Sequence, residues 1–247
     1  MTSFGASIFG AVANLRISEL SDEAPAYSGR SKLEVLLGAG IWDELAGRTV
    51  LDFGCGPGVE AVEIAERGAA RVVGVDIREE WLHQARARAD EARVSERCTF
   101  ANEWSEPVDT IVCVDGFEHF SDPASVLRRM HALLRRGGRV IVTFGPPWMH
   151  PLGGHLYSVF PFAHLLVPDA VLVRWRSRFK PDGAPTMLRS GLNKMTVRRF
   201  EQMVAASPFQ FEGFDAVPIR RLRRFANRMT REFTTSVVRC RLVPREA

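Results

Sequence analysis

The segment 50–58, with the sequence VLDFGCGPG, constrains the fold of this chain most, because an apolar strand runs directly into a turn that has almost no side chains. Glycine adopts positive φ angles without steric cost and has no Cβ, so Gly54, Gly56 and Gly58 allow main-chain N–H groups to approach a ligand closely. The apolar spacing of residues 59–65 predicts a helix that begins at this loop. A strand, a glycine turn and a helix in this order are typical of a nucleotide-type binding site.

Two acidic residues distinguish this loop from an ordinary tight turn, which an isolated glycine cluster would predict equally well. Asp52 lies at the end of the first strand, where its carboxylate can face the ammonium group of a ligand. A second apolar strand, 71–75, is followed by Asp76. An acid at this distance from the glycine loop can bind both hydroxyls of a ribose. The loop and this acid together predict a cofactor that contains adenosine.

The order of motifs between Val50 and Phe144 resembles that of the class I S-adenosylmethionine-dependent methyltransferases, in the branch that modifies small molecules. The matching motifs are VLDFGCGPG at 50–58, VDI at 75–77, DTIVCVD at 109–115, EHF at 118–120, DP at 122–123 and RGGR at 136–139. The main competitor is a nicotinamide dinucleotide fold, which has its third glycine five positions after the first. That position is Val59 here, so the spacing suits a ligand without phosphates, and the resemblance implies S-adenosyl-L-methionine as the cofactor.

The resemblance implies a role for each residue near this cofactor. The three loop glycines would line its methionine portion, and Asp52 would accept a hydrogen bond from the amino group. Asp76 would bridge the ribose hydroxyls, and Ile77 would pack on the adenine. The amino group of the adenine would bind the side chain of Asn102 or Glu103, which follow the third strand.

Strands and helices alternate along the chain, which predicts an α/β, Rossmann-like fold. We expect a mostly parallel seven-stranded sheet with helices on both faces. Ligands of such sheets bind beyond the carboxyl ends of the strands, so Asp52, Asp76 and Asp115 should converge there. The resemblance assigns main-chain contacts near the methyl group to Asp115. It also implies that the C-terminal tail supplies an antiparallel strand beside the fifth strand, from the strands predicted at 209–219 and 234–243.

Length and composition predict one domain over residues 1–247, because 46% of the residues are apolar and can form one core. The resemblance implies that this is a single methyltransferase domain. Within it we expect an N-terminal helical cap (1–46) and a lid insertion after the fifth strand (145–192). Apolar spacing predicts helices at 31–45, 79–94 and 196–206, and one that begins after Asp122 and is closed by Arg135, Arg136 and Gly137.

Residues 140–168 contain no Lys, Arg, Asp or Glu, a run long enough for a transmembrane helix. Five prolines, three glycines and three histidines within it argue against a transmembrane segment. We expect instead an apolar lid over the ligand-binding edge of the sheet, with additional core packing as the alternative. Such a lid predicts a small-molecule or lipid-like acceptor with an apolar part, or a peripheral contact with a membrane.

Methyl transfer mainly requires that the acceptor be held in line with the S–CH3 bond, because a sulfonium methyl is already a strong electrophile. A hydroxyl acceptor also needs a base, and histidine titrates in the suitable range. The candidates are His119, after the fourth strand, and His150, His155, Tyr157 and His164 in the lid. His119 and His155 are the predicted catalytic residues, one of them as the base. No Cys or carboxylate lies at ligand spacing beside these histidines, so no metal site is predicted.

Charge is unevenly distributed along the chain. Residues 1–169 carry 16 Lys and Arg against 23 Asp and Glu, whereas residues 170–247 carry 17 against 6. Six arginines lie between Arg220 and Arg231 without an acid among them. They form either a solvated connector that pairs with the acidic first half or a site for an anionic partner, such as nucleic acid, a lipid headgroup or a phosphorylated substrate.

A nucleic-acid methyltransferase is the first alternative function, because of these arginines. Methylation of base amino groups in the related families uses an Asn/Asp-Pro-Pro-aromatic motif after the fourth strand, where this chain has DGFE at 115–118. GPPW at 145–148 follows the fifth strand and lacks the amide or acid, so nucleic acid is disfavoured. A non-catalytic protein of the same fold is the second alternative, although Asp52 and Asp76 are both present. Scattered cysteines and an N-terminus without signal-peptide features predict a cytoplasmic protein.

Overall fold

The computed structural model describes residues 29–157, 160–177 and 191–245. These residues form a seven-stranded sheet with the order β3-β2-β1-β4-β5-β7-β6. The strands are β1 (Thr49–Phe53), β2 (Arg71–Val75), β3 (Cys98–Ala101), β4 (Val108–Val114), β5 (Leu134–Phe144), β6 (Phe209–Pro218) and β7 (Thr235–Pro244). Strands β1 to β5 are parallel, and β7 is antiparallel to both β5 and β6. The predicted Rossmann-like sheet with an antiparallel tail is therefore confirmed.

Helices pack on both faces of this sheet. In chain order, the helices of the described residues are α1 (Lys32–Leu37), α2 (Ile41–Leu45), α3 (Val59–Glu66), α4 (Glu79–Glu91), α5 (Pro123–Leu133), α6 (Ala163–Leu166), α7 (Asp169–Arg176), α8 (Val197–Ala205) and α9 (Arg231–Thr234). Neighbouring residues of β1 point into two different cores: Val50 packs with α2, α3 and α4, and Leu51 packs with α5 and α8. The central strand is thus buried on both faces, which fixes the position of the loop that follows it.

Two of the predicted helices were too long. The helix predicted at 31–45 is divided into α1 and α2, because Gly38 ends α1 with φ of 85° while its N–H donates to the carbonyl of Glu34. The helix predicted at 79–94 ends at Glu91, and Arg93 then adopts a left-handed conformation with φ of 58°. Apolar spacing continues through both positions, so periodicity alone did not reveal either end.

The start of α5 was predicted correctly from its cap. Asp122 accepts a hydrogen bond from the nitrogen of Ser125 at 3.0 Å, and Pro123 occupies the first helical position. A carboxylate at this position satisfies an N–H group that has no partner within the helix. The first turn of the helix thus follows from local chemistry alone.

The predicted end of α5 was wrong. Arg135, Arg136 and Gly137 do not close the helix but lie in β5, which begins at Leu134. Leu134 pairs with Val108, and Nη1 of Arg135 binds Oδ1 of Asp109 at 2.8 Å. Gly137, with φ of 79°, lies in an irregular part of β5 before the regular pairing with β4 resumes. Pairing with β4 therefore overrides the helix-ending signal of the local sequence.

The cap and the lid are described only in part, because residues 1–28, 158–159 and 178–190 lie outside the described residues. The division of the chain into a cap (1–46) and a lid (145–192) therefore stays a prediction. In the described part of the lid, Tyr157, Leu172 and Leu192 form a small apolar core. Within the described residues, we find no helix with the length and apolarity needed to cross a membrane.

Candidate active site

The glycine loop lies at the carboxyl ends of β1 and β2, which we call the ligand edge of the sheet. The main-chain nitrogens of Gly54 and Cys55 both donate to the carbonyl of Val75, at 2.8 and 3.0 Å. Gly58 has φ of 76°, and a Cβ there would lie 2.6 Å from the Cβ of Ala85 in α4. Position 58 therefore requires glycine both for the backbone conformation and for the close packing of α4.

Asp76 follows β2 and holds the glycine loop in shape. Its Oδ2 accepts a hydrogen bond from the nitrogen of Gly56 and its Oδ1 accepts one from the nitrogen of Arg78, each at 3.0 Å. The sequence indicated a ribose-binding acid and did not reveal this internal contact. Each carboxylate oxygen can accept a second hydrogen bond, so the internal contacts leave capacity for a ligand hydroxyl.

Asp52, near the end of β1, is only 3% exposed. Its Oδ2 is shielded from solvent and has no hydrogen-bond partner within the described residues. Burial, followed by the charge of Glu60, raises the pKa of this carboxyl well above its usual range, and the nearby Lys32 opposes that shift. A buried acceptor without a partner is rare in folded proteins and is often completed by a ligand or an ion.

Lys32, in the first turn of α1, brings a positive charge to the same edge. Its Nζ lies 2.5 Å from Oδ2 of Asp115 and 3.8 Å from Oε1 of Glu60. Asp115 adopts a left-handed conformation with φ of 49° directly after β4. Sequence reasoning missed Lys32, because a single lysine at a helix start carries no motif.

The three strand-end acids Asp52, Asp76 and Asp115 are thus brought to one place, as the parallel sheet requires. The charge of Asp76 contributes to the raised pKa of Asp52, and Lys32 acts on Asp52 while it binds Asp115. A cluster of acids around one lysine presents charges of both signs to a ligand. Such an arrangement is suited to the zwitterionic end of an amino acid.

A cavity of about 230 Å³ lies between the sheet and α5. It is lined by Leu51, Phe53, Val75, Asn102, Glu103, Trp104, Arg129 and Leu133. This volume is below the range of pockets for drug-sized ligands, so the cavity fits one ring system. Asn102 and Glu103 line it, whereas Ile77 is 90% exposed and is not among the lining residues. The nitrogen Nε1 of Trp104 is buried and has no partner within the described residues.

His119 and His155 lie side by side, with ring centres 5.7 Å apart. Nδ1 of His119 is 2.8 Å from the carbonyl oxygen of Gly191. A carbonyl can only accept, so Nδ1 carries the hydrogen and Nε2 presents a lone pair. Burial, followed by the neighbouring His119, lowers the pKa of His155 to about 4, and its Nε2 has no partner within the described residues. The structure therefore brings the two predicted catalytic histidines together.

The other lid candidates have structural partners. Nδ1 of His150 accepts a hydrogen bond from the nitrogen of Leu152 at 2.9 Å, and burial lowers the pKa of His150 to about 4. Nε2 of His164 donates to the carbonyl of Trp148 at 2.6 Å. Tyr157 is buried beneath the guanidinium of Arg176. These contacts give each of the three side chains a structural role within the lid.

Asn193 joins the end of the lid to the loop after β4. Its Nδ2 donates to the carbonyls of Phe117 and Phe120, each at 2.7 Å, and its nitrogen donates to the carbonyl of Glu118 at 2.9 Å. Oε1 of Glu118 accepts from the nitrogen of Gly145 at 3.2 Å, where the lid begins. Both ends of the lid are therefore fixed to the loop that carries His119. Sequence reasoning missed Asn193 and Glu118, because contacts between distant segments leave no local pattern.

Comparisons with known proteins show which families and folds this chain is similar to. Residues 50–138 match a family model described as a methyltransferase domain. A ubiquinone biosynthesis O-methyltransferase from Pseudomonas paraeruginosa is 40% identical over 105 residues, which cover 40% of this chain and 45% of that protein. This chain therefore spans less than half the length of the curated relative that it matches.

Solved structures share the fold over most of this chain at low sequence identity. Magnesium protoporphyrin IX methyltransferase from Synechocystis PCC 6803, with bound SAH, has a TM-score of 0.56 and 17% identity over 86% of this chain and 81% of its own. An S-adenosylmethionine-dependent methyltransferase from Mesorhizobium loti has a TM-score of 0.55 and 18% identity over 81% of this chain and 92% of its own. These matches concern the fold alone. Together with the match of residues 50–138 to a methyltransferase domain, these structures show that this chain has the Rossmann-like fold of the class I S-adenosylmethionine-dependent methyltransferases.

Proposed function

We propose that this chain transfers a methyl group from S-adenosyl-L-methionine to a hydroxyl oxygen of a small molecule that has an apolar part. The observation that carries the proposal is the arrangement at the ligand edge, where Asp76 holds the glycine loop next to the partnerless oxygen of Asp52. The name of the curated relative supports an oxygen acceptor.

The residues at the ligand edge fit the parts of this cofactor. Oδ2 of Asp52, which has no hydrogen-bond partner among the described residues, offers an acceptor for the amino group of the methionine portion, and Lys32 offers a cation for its carboxylate. Asp76 would bind the ribose hydroxyls with its remaining lone pairs. The 230 Å³ cavity, with Asn102 and Glu103, would hold the adenine. Ile77, exposed at the rim, would cover it.

The cofactor, when bound, supplies an electrophilic methyl group. The protein has to place the acceptor oxygen in line with it and to remove the hydroxyl proton. We assign the proton to Nε2 of His119, because Gly191 fixes the hydrogen on the other ring nitrogen. His155 lies against this ring and stays neutral near pH 7, since burial lowers its pKa to about 4. A neutral neighbour allows His119 to become positively charged without repulsion from a second cation.

The apolar lid supports an acceptor with an apolar part. Its small apolar core contains Tyr157, Ala163, Leu172 and Leu192. The core begins two residues after His155 and ends directly before Asn193, which joins the lid to the loop that carries His119. Apolar walls around the reacting groups exclude water and strengthen the electrostatic interactions inside. We propose a hydroxylated aromatic ring with an apolar tail, a lipid-like acceptor, as the substrate class.

A transfer assay tests this proposal. The purified chain is incubated with methyl-labelled S-adenosyl-L-methionine and, in parallel, with a hydroxylated aromatic compound with an alkyl tail, the same ring without the tail, and total RNA. We expect more labelled methyl groups in the compound with the alkyl tail than in the ring without the tail or in RNA. Label in RNA alone would contradict the acceptor class, and binding of the cofactor without transfer to any acceptor would support a non-catalytic protein of this fold.

A further inference from the structure

The segment 219–234, which we call the basic loop, connects β6 to β7 at the ligand edge. Strand β7 is antiparallel to β5, with Val238 opposite Phe144, so β7 begins where β5 ends. The two backbones are close there, since a Cβ on Gly145 would lie 2.5 Å from the carbonyl oxygen of Ser236. The basic loop and the lid therefore leave neighbouring strands at the same edge as the candidate active site.

The positive charge of the basic loop is not compensated within the described residues. Five of its arginines are exposed and make no ion pair with any residue that the structure describes: Arg220, Arg221, Arg223, Arg224 and Arg228. The sixth, Arg231, binds Glu201. The single acid of the loop, Glu232, accepts hydrogen bonds from the nitrogens of Val197 and Arg198 at the start of α8. The pairing with the acidic first half that a solvated connector predicts is thus not observed for these five arginines.

Apolar side chains are exposed among these arginines. Phe225 is 54% exposed, Met229 is 90% exposed and Phe233 is 42% exposed. Two further exposed apolar side chains, Leu166 and Val171, lie on the lid helices α6 and α7. Large apolar side chains that cluster on a surface with basic residues are typical of segments that lie in a membrane interface.

Internal hydrogen bonds give the basic loop a defined shape without a partner. Oδ1 of Asn227 accepts from the nitrogens of Met229 and Thr230, at 2.8 and 3.2 Å. Oγ1 of Thr230 donates to the carbonyl of Phe225 at 2.6 Å, and the nitrogen of Ile219 donates to the carbonyl of Thr234 at 2.7 Å. The loop therefore presents its arginines and apolar side chains before any partner arrives, which lowers the entropy cost of binding.

We propose that the basic loop docks this chain on an anionic phospholipid bilayer, with the ligand edge facing the membrane. Arginines beside an anionic surface gain electrostatic attraction, while exposed apolar side chains enter the acyl boundary. Single-stranded RNA would need open aromatic faces for stacking on bases. Here the guanidinium of Arg224 lies over the ring of Phe225, 4.9 Å from its centre, and the most exposed apolar side chain is Met229. A bilayer therefore fits the surface better than RNA does.

Cosedimentation of the full chain with vesicles tests this proposal, and it does not depend on methyl transfer. One set of vesicles contains phosphatidylcholine alone, and the other contains phosphatidylcholine mixed with phosphatidylglycerol. The test variant is Arg221→Gln, Arg223→Gln and Arg224→Gln in one chain. The matched control removes three exposed arginines near the opposite edge of the sheet: Arg48→Gln, Arg97→Gln and Arg136→Gln.

We expect the wild type and the control to bind the anionic vesicles, and to bind less at high salt because ions screen the attraction. The test variant should bind about 100-fold more weakly, at about fivefold for each arginine near an anionic surface. A second variant, Phe225→Ala with Met229→Ala, should lose the binding that persists at high salt.

Four results would overturn the proposal. Equal binding of the wild-type chain to neutral and anionic vesicles would exclude recognition of an anionic bilayer. The absence of binding to both kinds of vesicle would exclude it as well. An equal loss of vesicle binding in the test variant and in the control would show that binding depends on net charge alone. Displacement of the chain from vesicles by RNA carrying the same concentration of phosphate would assign the surface to nucleic acid instead.

Discussion

The main-chain nitrogen of Gly56 donates a hydrogen bond to Oδ2 of Asp76, 3.0 Å away and twenty residues along the chain. This contact joins the two features that predicted the cofactor, because the acid expected to bind the ribose also shapes the loop expected to approach the methionine portion. The glycine loop and β2 therefore form one unit at the ligand edge. Loss of the acid should affect both parts of the site at once.

Gly58→Ala should destabilise the fold more than an alanine at another left-handed glycine. Gly47 has φ of 68°, and a Cβ there would meet no atom within 4 Å, whereas a Cβ on Gly58 would lie 2.6 Å from Ala85. Both substitutions meet backbone strain of about 1–2 kcal/mol. Gly58→Ala should lose about 1–3 kcal/mol more through overpacking. Urea unfolding of the two variants measures the difference, and equal losses would contradict close packing of α4 on the loop.

Lys32→Met should weaken binding of S-adenosylhomocysteine by about 10- to 100-fold, because a charge-assisted hydrogen bond contributes about 1.5–3 kcal/mol. Lys32→Arg should retain most of the affinity. Lys194, whose Nζ binds Asp169 at 3.0 Å in the lid, provides the control Lys194→Met. Calorimetric titration gives the dissociation constants. Unchanged affinity in Lys32→Met would remove this lysine from the cofactor site.

His119→Ala should lower kcat by about 10²–10⁴-fold if its Nε2 accepts the hydroxyl proton. Cofactor affinity should change little, since the proposed base contacts the acceptor. The exposed His83, beside Glu79, provides the control His83→Gln. Initial rates with a hydroxylated acceptor separate kcat from KM. A stronger loss of kcat in His155→Ala than in His119→Ala would transfer the role of base to His155.

The buried His150 should make the fold sensitive to mild acid. Its pKa is lowered from 6.5 to about 4 by burial, so the folded state stays neutral where the unfolded state takes up a proton. Stability from this residue is fully present above about pH 6.5 and is lost as the pH falls towards 4. From about pH 6.5 to about pH 5, this loss amounts to about 2 kcal/mol.

His150→Gln should therefore lose less unfolding free energy than the wild type over that interval, and His83→Gln should behave like the wild type. Comparison with each variant at the same pH cancels the titration of the buried carboxyls Asp52 and Glu118. Burial raises the pKa of both carboxyls, so their contribution runs in the opposite direction. Parallel pH profiles for wild type and His150→Gln would show that His150 can be protonated in the folded chain.

The parallel sheet could be predicted from the sequence because its signals are local. Strand β1 was predicted from a short apolar run before the glycine loop, and the start of α5 was located by its cap, Asp122. The break at Gly38 and the position of Gly137 within β5 were not foreseen. The position of Gly137 depends on the pairing of β5 with β4, whereas Gly38 ends α1 through its own backbone conformation, and hydrophobic periodicity contains neither signal.

The candidate site was predictable to the same extent. The convergence of Asp52, Asp76 and Asp115 follows from the rule that parallel strands end at one edge. The contributions of Lys32 and Asn193 depend on folding of α1 and of the lid onto that edge, and no motif marks them. His119 and His155 were selected from the histidines on the sequence, and the structure adds that their rings lie 5.7 Å apart, which no sequence pattern predicts.

Thermal unfolding with S-adenosylhomocysteine and, separately, with NAD tests the central claim most directly, on wild type and Asp76→Ala. A ligand at about 100 times its dissociation constant stabilises the folded state by about 2.7 kcal/mol. We predict a higher Tm of the wild type with S-adenosylhomocysteine, no shift with NAD, and loss of the shift in Asp76→Ala. A shift with NAD instead, or an undiminished S-adenosylhomocysteine shift in Asp76→Ala, would contradict an adenosyl site built on the glycine loop and this carboxylate.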